Sequence, residues 1–497
     1  MQTWGIQWFC FMEDTELSSQ LPPGPYTIHQ GQMYYVRRVY SDDNYGFFRG
    51  IWHSYQSHGD FLEFHISGDR YRSVGVAVPS RIHSRPSQNT PLDGVRVGVK
   101  DNFDLCGLRT SIGSLSYYQL YPPSKKTAEA VEKLISMGAD VVGKLSMSAF
   151  ALMEHPMQSV DYQAPINPRG DGYQIPGGSR SGAGAAIASY EWLDLALVTD
   201  TTGSARIPAL YNGCFGLRPS SGIIPMTNTK EVYLEFDTPG LMGRDLSLLH
   251  QVLESWGHPE SARKVSSGPF RVIFPRDFRS VAIDEQLELL DSFAGNLAKV
   301  LSAHVEEISI AADWAASPPE QSESLDVFLH ETYALASKTS TNRSRELGKK
   351  VKPQENREAL RRIKVFRDWF RQRYRSTATE NVLFILPIGK VGPDYCDQYP
   401  GLPAAPSTGL SATSLSPSIG APELTLPIGE IQYHSRITEN METLPVMAGL
   451  MGMPGADTEL VQVALYSLEK LGLPTKIQTG KSMFGKHSGG VFKVGTK

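Results

Sequence analysis

Residues 95–99 read VRVGV and end at Lys100, residues 127–138 read TAEAVEKLISMG, and residues 140–144 read DVVGK. The first and last are short apolar runs of the kind that form buried strands. In the middle segment Val131, Leu134 and Ile135 recur at helical spacing and make one apolar face. Thr127 suits the N-cap of that helix, Glu129 its first turn and Gly138 its end. Working outward, LALV (195–198), FRVIFP (270–275), VLFILP (382–387) and LTLPIG (424–429) read as further strands. Residues 284–303 and 457–471 read as helices, each opening on an Asp placed to cap it. Strands alternating with helices predict an α/β fold, with a mixed or parallel central β-sheet covered by helices on both faces.

The first ninety residues differ from this pattern. Between Tyr26 and Phe64 there are eleven aromatics in 39 residues, against 10% in the whole chain. Runs such as MYYVRRVY and FLEFHISG between Asp/Gly turns read as strands. Residues 1–90 are therefore expected to be a small β-rich, aromatic N-terminal appendage. It fits three roles, lining a pocket mouth, capping the sheet or making a homodimer contact, and the residues leave all three open. Residues 91–475 form the main α/β domain, and the Gly/Lys-rich end, 476–497, reads as a flexible tail. Residues 343–375 hold thirteen Lys/Arg against four Asp/Glu, with Ile363, Phe366, Phe370 and Tyr374 on one helical face. A solvated helix packed through that stripe is favoured over an anion-binding surface.

With 48 Lys plus Arg against 52 Asp plus Glu the net charge is −4, which argues against a nucleic-acid binder. The four cysteines, Cys10, Cys106, Cys214 and Cys396, form no CxxC pair, so neither a zinc site nor a disulfide framework is indicated, and a reducing, cytoplasmic setting fits. The N-terminal apolar run is broken by Gln7 and lacks a basic start, a poor signal peptide, and no run of ~18 apolar residues suggests a membrane span.

Two Gly/Ser segments carry the chemistry: Gly177-Gly178-Ser179-Arg180-Ser181-Gly182, and Asp200-Thr201-Thr202-Gly203-Ser204-Ala205-Arg206. A P-loop requires Gly-Lys-Ser/Thr, but Ala183 follows Gly182. A dinucleotide fingerprint starting at Gly182 fails at Ile187 and lacks a preceding strand, and the nucleophile elbow G-x-S-x-G is absent. The remaining use of such glycines is to turn the backbone so that successive N–H groups converge beside a serine, as an oxyanion hole requires. A serine nucleophile also needs a base. His155 is the histidine nearest these segments in sequence, without a motif around it. Lys100 is the alternative, because desolvation at the end of a buried strand favours its neutral, proton-accepting amine. Simple pairing of Lys100 with Asp101 or Asp104 explains its position equally well.

Three segments, VGVKDNFDLCGLRTSIGS, PGGSRSGAGAA and LALVTDTTGSARIPALYNGCFGLRPSSGIIP, together resemble the amidase signature family of serine hydrolases. The resemblance is strong over residues 91–250 and extends weakly to about residue 472. It implies the amidase-signature fold, with a large mixed central β-sheet covered by helices on both faces, and a Ser-cisSer-Lys triad, with Ser204 as acylated nucleophile, Ser179 as the bridging serine after a cis peptide bond, and Lys100 as base. It implies an oxyanion hole from the N–H groups of Thr201, Thr202, Gly203 and Ser204, with Asp200 and Arg206 bracing that loop. The activity implied is that of an amidohydrolase acting on linear amides of small molecules, with no cofactor and no metal. Arg180, Val198 and Thr202 depart from the family's usual residues. Arg180 is expected either to turn away from the pocket or to bind an acidic substrate group as a fork. Two other readings stay open: the glutaminase component of an amidotransferase, and a catalytically impaired binding or scaffold protein.

Overall fold

The computed structural model describes residues 26–29, 32–53, 59–82, 84–152, 154–179, 181–256, 269–319, 323–330, 332, 352–376, 380–398 and 410–485. Short strands open the chain: β1 (Tyr26–His29) with β2 (Gln32–Tyr35), then β3 (Arg37–Ser41), β4 (Phe47–His53), β5 (Phe61–Phe64) and β6 (Gly75–Pro79). The α/β region follows with β7 (Arg96–Lys100), α1 (Leu115–Leu120), α2 (Glu129–Ser136), β8 (Asp140–Leu145), α3 (Ser181–Ser189), β9 (Leu195–Asp200), α4 (Arg206–Asn212), β10 (Phe215–Arg218), β11 (Thr238–Gly243) and α5 (Leu246–Trp256). The second half supplies β12 (Phe270–Pro275), α6 (Asp284–Val300), β13 (Val305–Ile308), β14 (Asn381–Leu386), β15 (Glu423–His434) and β16 (Met441–Met451).

Among the described residues twelve of these strands form one sheet, in the order β13-β12-β14-β16-β15-β10-β11-β9-β7-β8-β4-β5. It is mixed: β7 runs parallel to β8 and β9, while β11 pairs antiparallel with β9 and β15 with β16. Strands β9, β11 and β14 are buried at every position, as a sheet covered on both faces requires. Helix α3 is made of Gly, Ala, Ser and one Ile, and its small side chains let it lie close to the sheet. A Cβ at Gly182 would come within 2.5 Å of the Ser146 carbonyl oxygen and 2.6 Å of that of Gly46. The basic segment contributes the helix Pro353–Arg373, which buries Ile363, Phe366 and Phe370, with Tyr374 at its end. No helix among the described residues is long and apolar enough to cross a membrane.

Several local expectations are corrected. The N-terminal segment is β-rich but does not stand apart from the main sheet, because β4 pairs with β8 and carries β5 at the sheet edge. The aromatics explain this: Phe47 stacks on Trp192 and tilts against Tyr190, beyond the C-terminus of α3. Residues 476–485 are not a flexible tail. Ile477 and Met483 are buried, and Arg169 donates to the carbonyls of Gln478 and Gly480, so 476–485 pack on the domain, while 486–497 lie outside the described residues. Three side chains read as N-caps do not cap. Thr127 Oγ1 accepts from the Cys106 N–H, Ala128 standing at the cap position of α2, and Asp284 begins α6 after Ile283 without a capping bond.

Asp457 is the third, and its carboxylate is used in tertiary structure. It accepts from Ser220 N at 2.6 Å and Ser220 Oγ at 2.5 Å. Burial pushes its pKa up from 3.8 to about 6, against the pull of the Ser220 hydrogen bonds. A carboxyl raised in the folded state contributes stability that is complete below its unfolded pKa and lost as pH rises through the folded one. The thermal midpoint of the wild type is therefore expected to fall between pH 3.8 and about 6 relative to Asp457→Asn, whose difference curve flattens above that window. Parallel curves for the two proteins would contradict this assignment.

Candidate active site

The site lies where β7 and β9, parallel neighbours, reach their C-terminal ends. Strand β7 ends on Lys100, whose side chain is fully buried and donates through Nζ to Thr199 Oγ1 at 3.3 Å. The same oxygen accepts from Asn102 Nδ2 at 3.1 Å. The two carboxylates that follow Lys100 are held by other lysines. Asp101 pairs with Lys144 Nζ at 2.6 Å, both nearly fully buried, and Asp104 with Lys230 Nζ at 2.6 Å. Lys144 also donates to the Phe103 carbonyl at 2.8 Å, tying the turn after Lys100 to β8.

Strand β9 delivers Asp200 into the turn Thr201–Ser204, from which α4 starts. Asp200 is the hub of that turn. Oδ1 accepts from Gly203 N at 3.0 Å, and Oδ2 from Ala205 N at 2.8 Å. Arg206 Nη2 and Arg218 Nη1 approach Oδ1 at 3.0 and 3.1 Å. Arg206 reaches on to Glu423 Oε2 at 2.6 Å and to the Thr413 carbonyl at 2.9 Å. All four charged side chains are essentially sealed from solvent. Burial works against the Arg206 guanidinium, but Asp200 and Glu423 outweigh it and hold its pKa above the ordinary value. Burial lowers Arg218 despite Asp200, and raises Glu423 despite Arg206. Thr201 Oγ1 donates to Asp237 at 2.5 Å, fixing the start of the turn. Gly203 has φ +121°, a conformation a side chain would strain, and a Cβ there would sit 2.9 Å from Ile207 Cδ1.

The other Gly/Ser segment comes from the opposite side. Gly177 has φ +75°, the Gly178–Ser179 peptide is cis, and α3 begins at Ser181. The Pro176 carbonyl accepts from Asn212 Nδ2 at 2.8 Å, and the Ser179 carbonyl accepts from both N and Oγ of Ser148 at 3.2 Å. So held, Ser179 Oγ lies 3.1 Å from Ser204 Oγ, a hydroxyl–hydroxyl hydrogen bond across 25 residues.

The structure thus brings Ser179 and Ser204 together, with the buried Lys100 at the end of β7 and Asp200 and Arg206 beneath the turn. Of the four backbone N–H groups expected to line an oxyanion hole, that of Gly203 is directed at Asp200 Oδ1. Val198 is buried within β9 and faces Gly240 of β11 in register, and Arg180 lies outside the described residues. His155 takes a local role: its Nδ1 accepts from Met157 N at 3.2 Å. Sequence reading missed Ser148, Thr199, Lys144 and Glu423. Lys144 was the visible one, a charge inside the apolar run DVVGK that has to be paired to be buried.

The family model described as Amidase matches residues 77–460. The chain is 38% identical over 167 residues to Amidase 1 of Oryza sativa subsp. japonica, covering 34% of this chain and 38% of that one. It is 28% identical over 448 residues to a glutamyl-tRNA(Gln) amidotransferase subunit of Symbiobacterium thermophilum, covering 80% and 87%. The allophanate hydrolase of Kluyveromyces lactis has the same fold, with a TM-score of 0.62 at 20% identity over 78% of this chain and 63% of that one. The chain spans between 30% and 40% of the length of the curated relatives that it matches locally at high identity. The family match, by contrast, runs from β6 into the helix Asp457–Lys470 and encloses Lys100, Ser179 and Ser204, so the chain belongs to the Amidase family.

Proposed function

We propose that this chain is an amidohydrolase that cleaves the carbon–nitrogen bond of a small linear amide through an acyl-Ser204 intermediate. The observation that carries the reading is the 3.1 Å hydrogen bond between Ser179 Oγ and Ser204 Oγ. Lys100, as a neutral amine, takes a proton from Ser179 while Ser179 takes one from Ser204. Ser204 Oγ attacks the amide carbon, and the charge on the former carbonyl oxygen falls to the N–H groups of the Thr201–Ser204 turn other than Gly203's. The relay then returns the proton to the leaving nitrogen, the C–N bond breaks and amine departs. Water, activated through the same relay, hydrolyses the ester to acid and free Ser204. The chemistry calls on this chain's own side chains and backbone N–H groups, with neither cofactor nor metal, and the well-separated cysteines support a cytoplasmic setting.

The test is intact-mass measurement after treatment with a serine-directed fluorophosphonate. One adduct is expected on the wild type, none on Ser204→Ala, and slowed formation on Lys100→Ala. A well-folded wild type that forms no adduct removes this reading. A second reading, the glutaminase component of an amidotransferase, is favoured by the long match to the Symbiobacterium thermophilum protein. Glutaminase activity that appears only with partner chains would identify it.

A further inference from the structure

The turn that leads into β4 supports the site from behind. Asp42 is fully buried, and its carboxylate gathers the turn around itself. Oδ1 accepts from Gly46 N at 2.9 Å and from Tyr190 Oη at 2.6 Å, and Oδ2 accepts from Phe47 N at 2.8 Å. The same Tyr190 hydroxyl accepts from Asn44 N at 2.8 Å. These bonds fix residues 42–47 to Tyr190, which follows the last residue of α3. Residues 42–47 also lie before the family match, which starts at residue 77.

Gly46 is the point of contact. Its carbonyl accepts from Ser146 N at 2.9 Å, just past the end of β8. A little further along, Ser148 donates to the Ser179 carbonyl through N and Oγ, each at 3.2 Å. A Cβ on Gly46 would come within 2.8 Å of Ala186 Cβ and 3.1 Å of the Gly182 carbonyl oxygen, both in α3. A Cβ on Gly182 would lie 2.6 Å from the Gly46 carbonyl oxygen and 2.7 Å from Ser146 N. Neither glycine has a positive φ, so close approach and not backbone freedom excludes a side chain at both. Three backbones therefore meet here: the turn before β4, the residues after β8, and the first turn of α3. The last two bracket Ser179, because Ser148 holds its carbonyl and α3 begins at Ser181.

We infer that Asp42 and Gly46 are positioning residues for the reaction, which act through the backbone junction to set Ser179 against Ser204. The inference rests on the acyl-Ser204 reading. In that reading the proton passes along the 3.1 Å contact between Ser179 Oγ and Ser204 Oγ, so the rate depends on where the junction holds Ser179. A close-packed junction has no slack to absorb a methyl group, and a displacement of ~1 Å at reacting atoms costs on the order of 100-fold in rate. The N-terminal segment then serves the chemistry as well as the sheet.

The test is the rate of fluorophosphonate labelling of Ser204, followed by intact mass at a temperature below the thermal midpoint of every variant. Gly46→Ala is expected to slow the maximal labelling rate about tenfold or more, and to leave the reagent concentration at half-maximal rate within about twofold, because the junction holds Ser179 and not the ligand. Adding Ala186→Gly removes the methyl group that the new Cβ meets, and is expected to recover at least about threefold of the loss. Gly243→Ala is the control. Its Cβ meets Leu249 Cδ1 at the same 2.8 Å, but Gly243 pairs with Leu195, at the end of β9 away from Asp200. Its labelling rate is expected to stay within about twofold of the wild type. Should Gly46→Ala fail to fold, Tyr190→Phe carries the test, since it deletes only the hydroxyl that ties Asp42 to Asn44, and it is expected to slow labelling about threefold or more. An unchanged rate in the folded variant, an equal slowing in Gly243→Ala, or no recovery with Ala186→Gly overturns the inference and leaves the acyl-serine reading in place. A folded wild type that is never labelled overturns that reading and the inference with it.

Discussion

Lys100→Met and Ser204→Ala are each expected to lower kcat on an amide substrate by about 10⁴-fold or more, and the double variant is expected to lose no more than the worse single one. In the mechanism proposed above, base and nucleophile act as one relay, so either absence leaves the other idle. Methionine matches the lysine stem, and Lys100 is fully buried, so the packing at the end of β7 is kept. Thr199 Oγ1 also keeps its bond from Asn102 Nδ2, so the substitution does not orphan that oxygen. Steady-state kinetics on the three proteins, with circular dichroism to verify folding, reads the result directly. Losses that add in the double variant would mean that Lys100 acts independently of Ser204, and the relay would have to be abandoned.

The second large effect is on stability. Arg206→Met is expected to cost about 3–5 kcal/mol, because it strands charges that the fold has removed from water. Asp200 keeps Arg218, but Glu423 loses the guanidinium at 2.6 Å and is left with Ser416 Oγ at 2.5 Å as its remaining described side-chain donor. Burial already raises the pKa of Glu423, and Arg206 is the largest influence opposing it. Without Arg206 the carboxyl titrates higher still. Its stability contribution is complete below the ordinary carboxylate pKa and declines as pH rises through the raised one, so the penalty of Arg206→Met should shrink towards low pH. Adding Glu423→Gln should recover part of the loss, since it removes the stranded charge. Chemical denaturation of the two variants across pH checks both points, and a penalty independent of pH and of Glu423 would show that the cost lies in packing instead.

How much of this could be read beforehand depends on how far apart the interacting residues lie. The strands at 95–99, 140–144, 195–198 and 270–275 were legible because an apolar run between turn residues is a local pattern. Lys100 stood out because it ends such a run, and Ser204 because Gly203 precedes it. That Ser179 belongs beside Ser204 came only from resemblance, since nothing in the residues between them measures a distance in space. The capping expectations at Thr127, Asp284 and Asp457 failed for a related reason. A short polar side chain near a helix start is a good local cap, but Cys106 N and Ser220, brought in by the fold, took Thr127 and Asp457 instead.

What the amino-acid order determined by itself was the alternation of buried strands with helices, the strand-terminal lysine and the two Gly/Ser turns, each written within a few consecutive residues. Only the tertiary structure decided that Lys144 would take Asp101, that Glu423 would close on Arg206 from 217 residues away, that Gly203 would direct its N–H to Asp200, and that β4 and β5 would extend the main sheet. The physical reason is that propensity and periodicity act between near neighbours along the chain. A charge or polar group taken out of water must find its partner among whatever groups the topology brings within about 3 Å, however distant they are in sequence.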